Sequence, residues 1–83
     1  MSEVAPEILK IVNLLRRAMP NGDQINIVRL TDDEIRFEWR GTGYRVSKTM
    51  FVEEEGPGVL IGSDSAALIR RLLEQQLVLE GRL

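Results

Sequence analysis

Apolar residues in the first part of the chain recur with the spacing of an amphipathic helix. From Pro6 to Met19 they return every three or four positions, with Glu7 in the first turn and two arginines in the last. These charges suit the helix dipole, whose N-terminus favours an anion and whose C-terminus favours a cation. The following Pro20-Asn21-Gly22 disfavours continuation of the helix. The pattern predicts a first helix over residues 6–19.

The middle of the chain has the two-residue period of a β-strand. Residues 34–40 alternate strictly between polar and apolar side chains. We expect Ile35, Phe37 and Trp39 to face the core, with the charged residues between them on the other face. The preceding segment, residues 24–30, is rich in β-branched residues and predicts another strand.

A third strand is predicted to begin at Tyr44, after a glycine-containing turn at residues 41–43. Its apolar period changes phase near Lys48, and a bulge or a bend at that point would account for the change. Pro57-Gly58 has the residue order of a type II turn. The short apolar run Val59-Leu60-Ile61 after it is compatible with a final strand.

A second helix is predicted over residues 66–80. Its apolar positions are Leu68, Ile69, Leu72, Leu73, Leu77 and Leu79. Residues 62–65 supply helix-capping side chains, and Gly81 follows the helix. The whole chain, residues 1–83, is therefore expected to form one domain of the order α-β-β-β-(β)-α. Short connections favour an α+β fold in which both helices pack on one face of a three- to four-stranded antiparallel sheet.

Composition narrows the possible functions. The 83 residues include neither Cys nor His, which excludes disulfides and thiolate chemistry and removes the commonest general base and metal ligand. We therefore expect no enzyme activity, no cofactor and no metal. Because no run of about 20 apolar residues and no basic-then-apolar leader occurs, we expect a cytoplasmic protein that does not contact membranes.

Basic residues concentrate in the predicted sheet. Arg36 and Arg40 have the parity of one strand face, and Arg45 is expected beside them on the next strand, with Lys48 nearby. Guanidinium groups bind oxyanions bidentately, so this face is a candidate contact for nucleic acid or an acidic protein partner. The net charge of −2 and the lack of an aromatic side chain on that face favour the alternative, a solvated face with cross-strand Glu–Arg pairs.

The second predicted helix provides the leading functional hypothesis. Its apolar positions cover about half of the helix circumference, which is more than packing on one sheet face requires. We expect a small non-enzymatic interaction module that self-associates or joins a larger assembly, with Leu73, Leu77 and Leu79 as candidate contacts. Packing of the two helices against each other is the alternative use of these residues. An RNA- or DNA-binding domain is the second functional hypothesis, and a small enzyme without Cys or His is the third.

Overall fold

A computed structural model describes residues 4–56 and 59–81 of the chain. Within these residues two helices and five strands follow one another in the order α-β-β-β-β-β-α, with a short 3₁₀ turn at Pro20–Gly22. The elements are α1 (Pro6–Ala18), β1 (Asn26–Leu30), β2 (Glu34–Trp39), β3 (Thr42–Ser47), β4 (Val52–Gly56), β5 (Val59–Ile61) and α2 (Asp64–Gly81). The strands form one antiparallel meander in which spatial order equals chain order. The α+β class is confirmed.

The sheet has one or two strands more than the three or four predicted, because the expected third strand is in fact two strands. The phase change near Lys48 is a complete chain reversal, sharper than a bulge or a bend. Met50 adopts a positive φ of 66°, and its N–H donates to the carbonyl oxygen of Ser47 at 2.9 Å. The hydroxyl of Ser47 also accepts the N–H of Phe51 at 3.2 Å. The chain therefore turns back after β3 and pairs with it again as β4.

The final apolar run is a paired strand. In β5, Ile61 lies opposite Glu54 of β4, and Val59 lies opposite Gly56. The type II turn predicted at Pro57-Gly58 lies outside the described residues.

The core lies between the helices and one face of the sheet. Ile35, Phe37 and Trp39 of β2 are buried there, which confirms the predicted strand phase. Tyr44 of β3 lies directly opposite Phe37, and the two rings stack with their centroids 5.5 Å apart. Buried residues of both helices belong to the same cluster, so the two helices share one face of the sheet as predicted.

Hydrogen bonds lie at the start of both helices. The N–H of Ala5, just before α1, donates to Oδ1 of Asp32 in the β1–β2 turn at 3.1 Å. At the start of α2 the hydroxyl of Ser63 accepts the N–H of Ala66 at 3.1 Å, which satisfies one of the amides that a helix N-terminus leaves free. The predicted capping role of this segment is confirmed for Ser63.

The helices lie side by side above the sheet. α1 contacts β2, α2 contacts β4, and the helices contact each other. Packed helices are about 8 to 10 Å apart, and this distance matches two strand spacings of about 4.8 Å. One flank of α2 is therefore covered by α1, whereas its other flank points beyond β4 toward the edge of the sheet.

Candidate interaction surfaces

The open face of the sheet carries a cluster of alternating charges. Arg36 of β2 lies directly opposite Arg45 of β3. Arg45 forms ion pairs with Glu53 at 3.0 Å and with Glu34 at 3.3 Å. Arg36 reaches Glu55 at 3.4 Å and Glu34 at 3.6 Å. Both guanidinium groups are thus already surrounded by carboxylates.

This arrangement balances the positive charge of the face within the chain itself. Oε2 of Glu34 and Nε of Arg36 are buried and have no hydrogen-bond partner within the described part of the chain. Their 3.6 Å separation is too long for a hydrogen bond, so charge attraction alone joins these two atoms. Each guanidinium is still about one-third exposed, and such pairs contribute little to stability.

Arg40 does not belong to the same face as Arg36 and Arg45. The strand ends at Trp39, and Arg40 and Gly41 form the hairpin turn with positive φ angles of 52° and 79°. Nε of Arg40 donates to Oδ2 of Asp23 at 2.8 Å, and its guanidinium lies 4.6 Å from the centre of the Trp39 ring. The prediction from strand parity is wrong here because the alternation continues one residue beyond the strand. The turn expected at residues 41–43 is also displaced, since Thr42 already pairs with Trp39.

Lys48 lies at the other end of β3, in the turn that leads to β4. Its ammonium is 3.7 Å from a carboxylate oxygen of Asp33, and both side chains are largely exposed. The four basic residues singled out from the sequence therefore occupy three separate places. Only Arg36 and Arg45 are brought together.

The inner face of α2 is part of the core. Ala66, Ile69 and Leu73 are buried, and Leu73 is 0% exposed. Leu73 is therefore inaccessible to a second molecule, and its prediction as a contact residue is wrong. Leu77 is 39% exposed and lines a shallow groove with Ile11 of α1, so it lies on the flank of α2 that faces α1.

The free flank of α2 carries a row of three leucines and one glutamine, separate from the buried face. We call this row the α2 stripe; its members are Leu68, Leu72, Gln75 and Leu79. At 3.6 residues per turn, intervals of four, three and four place these side chains within an arc of about 60°. Leu68 is 38% exposed and Leu79 is 58% exposed, whereas Leu72 also packs partly against the core. The stripe and the α1-facing Leu77 lie on opposite sides of the buried face.

Leu68 and Gln75 were not among the contacts predicted from the sequence. The sequence does contain a pattern that identifies them: intervals of four, three and four residues from Leu68 to Leu79. This row lies about a third of a turn around the helix from the buried residues. Val78 of α2 is also exposed and lines a shallow groove with Gln75 and Leu79. Exposed apolar side chains on other elements include Phe51, over whose ring the guanidinium of Arg70 lies at 5.9 Å. Single exposed apolar residues are normal on a protein surface.

Two further features are absent from the part of the chain that the structure describes. Among the described residues no group of three or more acidic side chains is placed to hold a metal ion. Within the same residues no helix is long and apolar enough to cross a membrane. Comparisons of the chain with protein-family models, curated proteins and solved structures gave no match.

Proposed function

We propose that the protein is a small non-enzymatic interaction module that self-associates through the α2 stripe. The observation that supports this function is the exposure of Leu68 and Leu79 on a helix whose inner face is buried and whose opposite flank contacts α1. Burial of a leucine side chain contributes about 1.5 to 3 kcal/mol, so these half-exposed residues leave part of that free energy available to a partner. The proposed location is the cytoplasm, as expected from the sequence.

The nucleic-acid hypothesis has weaker support. A phosphate-binding face needs guanidinium groups that are free to contact the backbone. Those of Arg36 and Arg45 are paired with carboxylates, and Arg40 and Lys48 lie elsewhere. The net charge of −2 also disfavours association with a polyanion.

A charge on the stripe tests the proposal. In Leu79→Glu, an unpaired carboxylate would have to be desolvated in the contact, so we expect a folded monomer. The matched control is Leu9→Glu, because Leu9 is 48% exposed on α1 and lies on the flank remote from α2. This variant should self-associate like the parent.

Size-exclusion chromatography with light scattering measures the mass, and circular dichroism verifies the fold. The proposal requires a dimeric parent and control, with a monomeric, folded Leu79→Glu variant. If the Leu79→Glu variant remained a dimer, the α2 stripe would not be the contact surface and the proposal would be wrong.

A further inference from the structure

We infer that Asn21 is a site of spontaneous deamidation and that the turn around it controls the rate of this modification. The asparagines of the chain are Asn13, Asn21 and Asn26, and of these only Asn21 precedes a glycine. Glycine has no Cβ, so its backbone nitrogen is the least hindered nucleophile that can follow an asparagine. The inference is independent of the proposed self-association.

The reaction consumes one water molecule and releases one ammonia molecule. The nitrogen of Gly22 forms a bond to Cγ of Asn21 and loses its proton, while the Cγ–Nδ2 bond breaks and the side-chain nitrogen leaves as ammonia. Water then opens the cyclic imide at either of its two carbonyl carbons. One product is aspartate, and the other is isoaspartate, in which the backbone runs through the former side chain. Both products add one negative charge to a chain whose net charge is −2.

The reacting dipeptide is accessible. Asn21 and Gly22 are both exposed. A Cβ added to Gly22 would meet no atom of the described residues within 4 Å. Gly22 also lines an open groove with Arg16 and Asp23. Water therefore reaches the site of the imide.

The other two asparagines lie in regular structure. Asn13 is within α1, and Asn26 is the first residue of β1. The branched residues Leu14 and Ile27 follow them, and these side chains hinder attack by the backbone nitrogen. Asn13 and Asn26 are thus internal controls for the reactivity of Asn21.

The turn at Pro20–Gly22 holds the dipeptide in a defined conformation. Asn21 has a φ of 59° and a ψ of 22°, and Gly22 has a φ of 70°. Positive φ at both central residues is the feature of a type I′ turn, for which Asn-Gly is a preferred sequence. The N–H of Asp23 closes the turn by donating to the carbonyl oxygen of Pro20 at 3.0 Å.

This conformation keeps the reacting atoms apart. A ψ of 22° places the nitrogen of Gly22 almost in line with the nitrogen of Asn21, as seen along the Cα–C bond. The Cβ of Asn21 lies about 120° away around the same bond, because the substituents of Cα are tetrahedral. Ring closure needs the Gly22 nitrogen on the Cβ side, so the turn has to open before the imide forms.

Asp23 opposes this opening. Its carboxylate accepts hydrogen bonds from the indole N–H of Trp39 at 3.1 Å and from Nε of Arg40 at 2.8 Å. The residue that closes the turn is therefore anchored to the end of β2. Because the imide forms only from the open fraction, these bonds slow the reaction. Asp23 is a positioning residue, since it acts through the turn and does not touch the reacting atoms.

Incubation of the unmodified chain at neutral pH, followed by peptide mapping with mass spectrometry, tests the site. Replacement of the amide by a carboxyl raises the mass by about 1 Da. We expect this increase at Asn21, with aspartate and isoaspartate as products, while Asn13 and Asn26 stay unchanged. In guanidinium chloride the turn is absent, so the same chain should react at Asn21 on the order of tenfold faster.

Earlier deamidation of Asn13 or Asn26 in the folded chain would overturn the inference. Equal rates at Asn21 in the folded and unfolded chains would also overturn it, because the turn would then not control the reaction. The same holds if Asn21 of the folded chain stays intact after the unfolded chain has reacted completely.

Two substitutions separate the turn from the chemistry. Asp23→Ala retains the Asn-Gly dipeptide but loosens the turn, so the folded variant should deamidate on the order of fivefold faster than the parent. In guanidinium chloride the two rates should be similar. Asn21→Gly is the matched control, since glycine accepts positive φ but carries no amide, and its turn peptide should keep its mass. Circular dichroism verifies the fold of both variants.

A folded Asp23→Ala variant that deamidates at the rate of the parent would contradict the positioning role of Asp23. The comparison of the folded and unfolded parent does not depend on this variant, so it still decides the inference if Asp23→Ala fails to fold.

Discussion

Asp23 joins the segment after α1 to the end of β2. Its Oδ2 accepts a hydrogen bond from the indole N–H of Trp39 at 3.1 Å and from Nε of Arg40 at 2.8 Å. Trp39 is buried, so its N–H depends on this carboxylate. One acidic side chain thus positions both the last core residue of the strand and the first residue of the turn.

Asp23→Ala is expected to lower the free energy of unfolding by about 1 to 3 kcal/mol, because it leaves a buried donor without a partner. Asp33→Ala is the matched control, since the Asp33 side chain is 83% exposed and pairs only loosely with Lys48. That variant should lose no more than about 1 kcal/mol. Urea denaturation measures both changes. Equal destabilisation by the two substitutions would contradict the role given to Asp23.

The leucines of α2 illustrate what periodicity leaves undetermined. Leu73, Leu77 and Leu79 all fit the apolar spacing of a helix, yet the structure buries the first, sets the second beside α1 and exposes the third. Periodicity shows that the helix has a broad apolar arc. It does not show which part of the arc faces the sheet, because α1 and β4 determine that orientation through tertiary contacts.

Strand alternation predicts the sheet well until the chain turns. The burial of Ile35, Phe37 and Trp39 follows from a two-residue period and is confirmed. Arg40 has the same parity as Arg36 but lies in a hairpin turn with positive φ. Arginine is not typical of such a position, for which Asn, Asp or Gly is preferred, so the sequence gives only Gly41 as a turn signal.

The β3–β4 hairpin was even less visible in the sequence. Its turn residues Lys48, Thr49 and Met50 include none of the usual turn formers, Gly, Pro, Asn or Asp. The reversal is instead held by hydrogen bonds of Ser47 to Met50 and Phe51. A pattern of side-chain types cannot reveal a turn that depends on these contacts, and the number of strands was therefore underestimated.

The two helices are joined near their C-terminal ends by a bidentate ion pair. Nε and Nη2 of Arg17 each donate to a carboxylate oxygen of Glu80 at 2.7 Å. Hydrogen bonds from Arg17, and then from Gln76, lower the pKa of the Glu80 carboxyl below its ordinary value. The same pair raises the pKa of Arg17.

The contribution of this pair to stability should disappear in acid. Because the pKa of Glu80 is lower in the folded chain than in the unfolded chain, its stabilising effect is present above the ordinary value of 4.5 and is lost as the pH falls through the folded value. Glu80→Gln should therefore be less stable than the parent at neutral pH and equally stable in acid. Denaturation curves at a series of pH values measure the difference. A difference that is unchanged in acid would contradict the ion pair.

The molecule as a whole pairs several of its arginines internally and leaves its apolar stripe open. Arg36 and Arg45 are balanced by carboxylates on the same face, and Arg17 is balanced by Glu80. The exposed leucines of the α2 stripe have no comparable partner among the described residues. The sequence indicated excess apolar surface on this helix, but the location of that surface depends on how the helices dock on the sheet.

Sedimentation equilibrium of the unmodified chain tests the proposed self-association most directly. The chain mass is 9.4 kDa, and the average mass should rise from this value at high dilution toward twice this value as the concentration is raised. A mass of 9.4 kDa at every concentration would contradict self-association. The α2 stripe would then be an ordinary solvated surface.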